Sequence, residues 1–367
     1  MAISKIPMQG FSQQGINFRN IIINGDMSIA QRGTSTSSVT TTDGYYACDR
    51  WYTQTDIGTW TISQSTDVPT GQGFSNSLKL DCTTAGSSNA DEVGIRHKIE
   101  GQNLQHLKYG TSSAESLTVS FWIKTNKTGT YSLAMVNSNS TQERIASFNY
   151  TVSSADTWEK KTITFPGDTA RAFDNTTGEE LTLYWWFSAA SGFTSGGVQN
   201  TWTNYSASYF ADSGLAGLGG STSDEVYITG VQAEVGSSAS DFEFLPFDIN
   251  LSRCNRYYTT SQAVSKFGGF STGDENGIFF GRIGNYSNQP VNHRFPVRMR
   301  SEPTVTVYSL NGTSGHVSDT GTSAGNHNSD DGVNVARISQ SGIGYITGAS
   351  GDSGDGYAFQ YEADAEM

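Results

Sequence analysis

The chain has 367 residues, among them 41 Gly, 19 Phe, 17 Tyr and 7 Trp, while Asp, Glu, Lys and Arg together make up only 16%. That composition argues against a mainly helical protein and favours short strands joined by polar turns. A formal charge of −13 repels phosphate backbones and anionic lipid, so nucleic acid is not expected as a partner.

Residues 1–19 scatter Ile3, Ile6, Met8 and Phe11 among Gly, Gln and Pro with neither helical nor strand period. They read as an arm that becomes ordered on a partner or, alternatively, as a frayed terminus. The segment has no apolar run of signal-peptide length and no later stretch approaches a bilayer span, so synthesis in a cytosol and no membrane insertion are expected.

Period-two alternation follows. Leu117, Val119, Phe121 and Ile123 form one face of a strand opposite Thr118, Ser120, Trp122 and Lys124, and Tyr131, Leu133 and Met135 repeat the pattern. Leu181, Leu183, Trp185 and Phe187 do the same. Turn-forming clusters at 126–129 and 175–178 separate these runs. Many short strands with turns between them predict a jelly-roll β-sandwich over 20–247.

A short helical linker is predicted over 248–256, with Asp248 placed to accept a backbone N–H bond in its first turn. Strands resume over 257–367, predicting a second, smaller β-sandwich and an all-β protein. His293, Phe295, Val297 and Met299 alternate with Arg294, Pro296, Arg298 and Arg300; Val305 and Val307 follow; Tyr357, Phe359 and Tyr361 share a face near the end. The Gly-, Ser-, Thr-, Asn- and Asp-rich stretch 311–332 has little to bury and is expected to be a long exposed loop. Its His316, His327, Asp319, Asp330 and Asp331 match no metal-ligand spacing. Cys48, Cys82 and Cys254 are too few and too dispersed for a disulfide scaffold or a CxxC metal site, and read as thiols.

Sugar recognition needs flat apolar groups for the C–H face of a pyranose ring and planar polar groups for its hydroxyls. Alternation puts Trp122, Tyr184 and Trp186 on the second faces of their strands, and Trp202, Tyr205 and Tyr209 lie in a polar, Gly-rich region. These six are the glycan-binding candidates; the competing reading for each is cover by a loop or a neighbouring subunit. Arg294, Arg298 and Arg300 fall on one predicted strand face. They suit either a sialic or uronic acid carboxylate, or pairing with Glu302 and the acidic run 362–366 within or between subunits. GxSxG, HExxH and P-loop motifs are lacking, so no catalysis is expected, although a glycosidase's two carboxylates meet only in three dimensions.

Two separated segments carry a family resemblance: Asn20-Ile-Ile-Ile-Asn-Gly-Asp-Met27, and Gly230-Val-Gln-Ala-Glu-Val-Gly236 continuing to Arg253-Cys-Asn-Arg-Tyr-Tyr258. Together they resemble the virion-surface and tail-fibre proteins of bacteriophages. There the first segment opens a jelly-roll module similar to carbohydrate-binding modules, and the second closes it and leads into a C-terminal β domain. The resemblance implies a non-enzymatic tail fibre or receptor-binding protein, homotrimeric, docked to other virion proteins through the 1–19 arm and contacting a host surface glycan. It would be made in the host bacterial cytoplasm and placed on the virion surface, on tail or capsid. The alternatives are a capsid fibre or decoration protein, and a polysaccharide-degrading enzyme or its binding module. Asn24-Gly-Asp-Met27 looks like the opening strand of such modules and 222–229 like the closing strand with its acidic pair. The resemblance therefore offers two readings of Asp26, Asp224 and Glu225, ligands of a structural calcium or an ordinary Asp-stabilised turn, with Ser28 standing where a Glu is usual for the ion. No other cofactor is implied.

Overall fold

A computed structural model of the protein describes residues 18–86, 92–138, 142–261, 278–282, 288–319, 330–347 and 356–367. Most of the expected arm, residues 1–17, and His327 lie outside the described residues.

Two antiparallel sheets enclose the first core. One runs in the order β1 (Ser35–Val39), β4 (Thr59–Ser65), β5 (Ser77–Thr84), β13 (Glu225–Val235), β7 (Leu117–Thr125) and β10 (Glu159–Phe165). The other runs β12 (Thr203–Asn204), β9 (Arg144–Val152), β8 (Gly129–Asn137), β11 (Glu179–Ser188), β6 (Val93–Glu100), β3 (Tyr52–Thr55) and β2 (Gly44–Tyr45). The alternation read from the sequence points as expected: Leu117, Val119, Phe121, Ile123, Tyr131, Leu133, Met135, Leu181, Leu183, Trp185 and Phe187 are all fully buried between the sheets. Each large apolar side chain so enclosed stabilises the fold by roughly 1.5–3 kcal/mol. Trp51, Trp60, Cys48 and Cys82 share this core, and Cys254 is buried beside Ile23 and Tyr257. All three cysteines are free thiols.

The two segments that carry the family resemblance touch each other. Asn20 Nδ2 donates to the Val231 carbonyl (3.0 Å), Ile21 N–H to the Ala233 carbonyl (3.0 Å), and Val231 N–H to the Gly25 carbonyl (2.9 Å). A Cβ on residue 25 would lie 2.1 Å from the Val231 carbonyl oxygen, so the turn requires glycine there. Asn24 is buried and closes its own turn, accepting from Ile29 N–H and donating to the carbonyls of Ile29 and Asp49, each at 2.9 Å. Sequence reading set these segments side by side as motifs; the fold makes them one structural unit.

Helix α1 (Ser191–Thr194) is a single turn, and α2 (Phe247–Asn255) is the expected linker helix. Its N-terminal flank is Pro246 and no side chain caps it; Asp248 lies within the first turn, not at the cap. Its charge still complements the helix N-terminus.

The second unit is built on a long strand, β22 (Gly356–Asp364), which pairs with β14 (Tyr258–Thr260), β15 (Phe279–Arg282), β17 (Thr304–Tyr308) and β18 (His316–Asp319). Beyond β18 lies β19 (Asp330–Gly332), and a separate sheet runs β16 (Asn288–Arg294), β21 (Gly342–Thr347) and β20 (Asn334–Ser339). Tyr357, Phe359, Tyr361, Phe295 and Met299 meet in its core. Two expectations are corrected. The stretch 311–332 contains the paired strands β18 and β19, anchored by Val317, which is 1% exposed. The strand carrying Arg294 ends there, two residues before Pro296, whose ring has no N–H to continue a ladder. Arg294, Arg298 and Arg300 therefore do not share a strand face.

The two units are joined by ionic and aromatic contacts. Arg50, fully buried, pairs with Glu366, and its guanidinium lies 3.5 Å from the Tyr257 ring centroid. Arg32 pairs with Asp364 at 2.9 Å and lies 3.6 Å from the Tyr258 ring centroid. Arg256 grips Glu100 through two bonds, 2.8 and 2.7 Å. Arg300 donates to the carbonyls of Ala365 (2.8 Å), Glu366 (3.2 Å) and, across the junction, Thr177 (2.9 Å). The expected pairing of Arg300 with carboxylates of the acidic run is replaced by hydrogen bonds to backbone carbonyls at the end of that run.

Candidate functional site

The outer face of the second sheet brings together the planar groups that a sugar site needs. Cross-strand register aligns Tyr52 of β3, Arg96 of β6 and Tyr184 of β11 in one row, with Ala134 of β8 continuing it. Alternation explains the row: Ile95 and His97 point into the core, so Arg96 and Lys98 point out. The Arg96 guanidinium stands 4.9 Å from the Tyr184 ring centroid and 5.3 Å from that of Tyr52. Gln54 accepts from Arg96 and donates to Glu92, which fixes the guanidinium's orientation. Asp43 lies 4.0 Å from it; burial pushes the Asp43 carboxyl up, while Arg96 opposes that shift. Tyr205, 38% exposed, completes the edge of the site, packing edge-on against Phe210 at 5.9 Å. Burial pushes the Tyr184 phenol up against the attraction of Arg96, so it stays neutral and can donate or accept a hydrogen bond.

Chemically the row offers two half-buried phenol rings, a guanidinium held between them, and carboxylates and an amide at its margin. Such a surface can pack on the C–H face of a ring and hydrogen-bond its hydroxyls.

The other half of the same face is closed. Trp186 is 2% exposed, packed with Ala134, Val136, Ile145, Phe210 and Ala211 in a second small core. The covering atoms belong to the chain itself: α1 and the 3-10 turn Ala207–Tyr209 lie over the sheet, with Phe193 and Phe210 5.1 and 5.4 Å from the Trp186 ring. This corrects the expectation that Trp186 is an exposed ligand-binding or subunit-facing residue.

The remaining candidates separate. Trp202 is 8% exposed, sits in the main core 5.7 Å from Tyr109 and donates its Nε1–H to the Pro166 carbonyl at 2.6 Å, so it too is corrected from exposed to structural. Tyr209 borders the cover over Trp186. Trp122 is half-buried on the first sheet, next to Gly230 and Phe74, far from the row in topology. Of the six aromatics, Tyr184 and Tyr205 both pack on Phe210, 4.9 and 5.9 Å from its ring, Tyr184 being partly covered by the Trp186 cluster. The sequence reading missed Tyr52, Gln54 and Arg96, although the run Val93, Ile95, His97, Ile99 carries the alternation that places Arg96 outward.

Asp26, Asp224 and Glu225 are not brought together. Asp26 accepts from Ser28 Oγ (3.1 Å) and Asn250 Nδ2 (3.0 Å); Asp224 pairs with Lys127 (3.1 Å) and accepts from Gly219 and Ser221 N–H; Glu225 pairs with Lys79 (2.9 Å). Asp26 adjoins the Asn20 turn, while Asp224 closes the loop before β13. Among the described residues no three His, Cys, Asp or Glu side chains gather where they could hold a metal. The predicted calcium set is thus not one site in this fold. Arg298 is held by Gln340 (2.7 Å), and Arg294 is exposed on β16.

No family model and no curated protein sequence matches the chain. Among solved structures it is similar to the enzymatically active domain of bacteriophage CBA120 tailspike protein 4, at 14% identity and TM-score 0.33 over 59% of this chain; the chain spans only 21% of that tailspike's length. It is similar to the CBM22-2 xylan-binding domain of Paenibacillus barcinonensis Xyn10C, at 15% identity and TM-score 0.29, covering 51% of this chain and 91% of that one. A family 11 carbohydrate-binding module from Clostridium thermocellum, solved with a β-1,3-1,4-mixed-linked tetrasaccharide, aligns at 10% identity and TM-score 0.26 over 57% of this chain and 99% of that one. No residue role is carried from these structures to this chain.

Proposed function

We propose that the chain is a non-catalytic glycan-binding protein of a bacteriophage virion surface, a tail fibre or receptor-binding protein that meets host saccharide on the Tyr52–Arg96–Tyr184 row. The row itself carries the reading: two aromatic rings flanking an oriented guanidinium on an open β face, edged by Tyr205. The virion assignment, and the homotrimer that goes with it, rest on the resemblance of the Asn20–Met27 and Gly230–Tyr258 segments to phage fibre proteins. Each ring face that a pyranose covers contributes only a few kcal/mol at about 25 cal/mol per Å², so a single site is weak and multivalent presentation strengthens it.

The test is a glycan array or host-cell adsorption assay with the full chain. Arg96→Ala and Tyr52→Ala are expected to reduce binding at least tenfold, about 1.4 kcal/mol, while the unfolding transition is retained. Binding unchanged in both variants overturns the site. Reducing ends released from host polysaccharide would support the enzyme reading instead, and capsid location without host binding would support the decoration reading.

A further inference from the structure

A cavity of about 320 Å³ opens where the start of the jelly roll, the end of α2 and the first residue after it meet. Phe18 and Tyr257 supply aromatic wall, and Asn103, His106, Arg253 and Arg256 supply the polar lining. Its size lies at the lower end of small-ligand pockets, its lining is about evenly polar and apolar, and unit junctions are a preferred place for such sites.

The charges in the cavity do not balance. Arg256 is neutralised by its two bonds to Glu100. Arg253 is not: its Nη2 reaches only the carbonyls of Asn20 and Ile21, at 3.3 and 3.5 Å, and among the described residues no carboxylate lies within 4 Å of it. Glu243 attracts it from farther away and is itself engaged by the Asn20 N–H at 3.0 Å. Burial acts against the Arg253 charge, lowering its pKa from the ordinary arginine value. Burial likewise lowers that of His106, leaving a neutral imidazole with one donor and one acceptor. In a chain of net charge −13, this leaves one half-buried cation facing an accessible space without a counter-ion. Desolvating a cation without pairing it costs energy that a bound anion returns.

We propose that this cavity binds the carboxylate of an acidic monosaccharide unit, a uronic or sialic acid, with Arg253 as its counter-ion. Asn103 and His106 meet the ring hydroxyls, and Phe18, an exposed aromatic, meets the C–H face. The choice of a sugar acid rests on the glycan-binding reading above; the choice of an anion rests on Arg253. This returns to the sequence-derived idea of arginine-based carboxylate recognition and moves it from the β16 region to the end of α2.

The experiment is calorimetric titration of the full chain with galacturonate and N-acetylneuraminate, beside galactose and acetate as references. At least one sugar acid is expected to bind at least tenfold more tightly than either reference. Arg253→Gln is expected to weaken that binding at least tenfold with the unfolding midpoint retained. Should Arg253→Gln fail to fold, His106→Ala and Asn103→Ala must each weaken the same titration. Absence of sugar-acid binding, equal binding of galactose, or equally tight binding of acetate each overturns the proposal. The two sites fail separately. Arg96-dependent array or adsorption binding with no sugar-acid response to Arg253→Gln sinks this inference alone, whereas Arg253-dependent sugar-acid binding, with array and adsorption binding unchanged in Arg96→Ala and Tyr52→Ala, upholds it and sinks the proposed face.

Discussion

The two halves of one sheet face in the jelly roll have opposite fates. On β8 and β11, Ala134, Val136 and Trp186 are sealed beneath the chain's own 189–216 segment; on β3 and β6, Tyr52 and Arg96 stay accessible. Strand geometry is the same on both sides and the cross-strand rows are continuous. What differs is the cover. The segment over Trp186 is fixed by hydrogen bonds from Ser147 Oγ to the Tyr209 carbonyl (2.6 Å), Asn200 N–H to the Ser147 carbonyl (2.9 Å) and Ala211 N–H to the Phe193 carbonyl (3.1 Å). An apolar outer face must be covered by something, whereas a guanidinium between two phenols is stable facing water.

The sharpest way to break this comparison is Trp186→Ala. If the cover is a true second core, the substitution should cost about 3–5 kcal/mol, because it removes a fully packed indole and leaves a cavity. Denaturant unfolding measures this, and a cost below about 1 kcal/mol would show that the 189–216 segment does not seal the face.

A second, smaller effect separates the inward and outward residues of β6. His97, beside Arg96 in sequence, is fully buried, lies 4.9 Å from the Trp51 ring and accepts the Ile23 N–H at its Nε2 (3.3 Å). Burial, then the fields of Arg50 and Arg253, hold its pKa well below 6.5. A base whose folded pKa is depressed stabilises the fold above its unfolded value and loses that contribution as pH falls toward the folded one. Stability should therefore decline as pH drops below 6.5, and His97→Gln should flatten that decline while lowering stability at pH 7. An unaltered pH profile in the variant would assign the acid response elsewhere, His293 with its pKa lowered by burial to about 4 being the next group to test.

The smallest effect is expected on the open side. Tyr52→Ala should change folding stability by under about 1 kcal/mol, since the residue is half-exposed and lines no core cluster. A larger loss would mean that the open row is structural and would weaken its assignment as a binding face.

Much of the fold is legible in the residues because period-two alternation reports which side chains face one another. Leu117 through Ile123 and Leu181 through Phe187 needed no tertiary information to be placed inside. The linker helix and its neighbouring motifs were legible for the same local reasons. Cover is not local: nothing in the sequence around Trp186 says that residues 193 and 210 fold back over it. Ligand sets are less legible still. Asp26 and Asp224 look like partners because each adjoins a motif, yet Asp26 is engaged by Asn250 and one oxygen of Asp224 by Lys127. The arginine trio failed for a simpler reason, since Pro296 ends the strand that would have aligned it. Arg253 stands within the Arg253–Tyr258 motif, yet that no carboxylate among the described residues pairs with it shows only in three dimensions.

The position of β13 bears on how the chain acquires its structure. It lies between β5 and β7, which reach each other only through it, and it comes from residues 225–235, about one hundred positions after β7. A growing or refolding chain that has not yet placed β13 holds two half-sheets with facing, unpaired edges, the arrangement most open to wrong pairing and aggregation. Closing such distant pairs demands long loops before any hydrogen bond forms, so folding should be slow and its last step highly concerted. The strand that finishes the sheet also receives the Asn20–Gly25 turn, so the early and late ends of the module are locked in the same event.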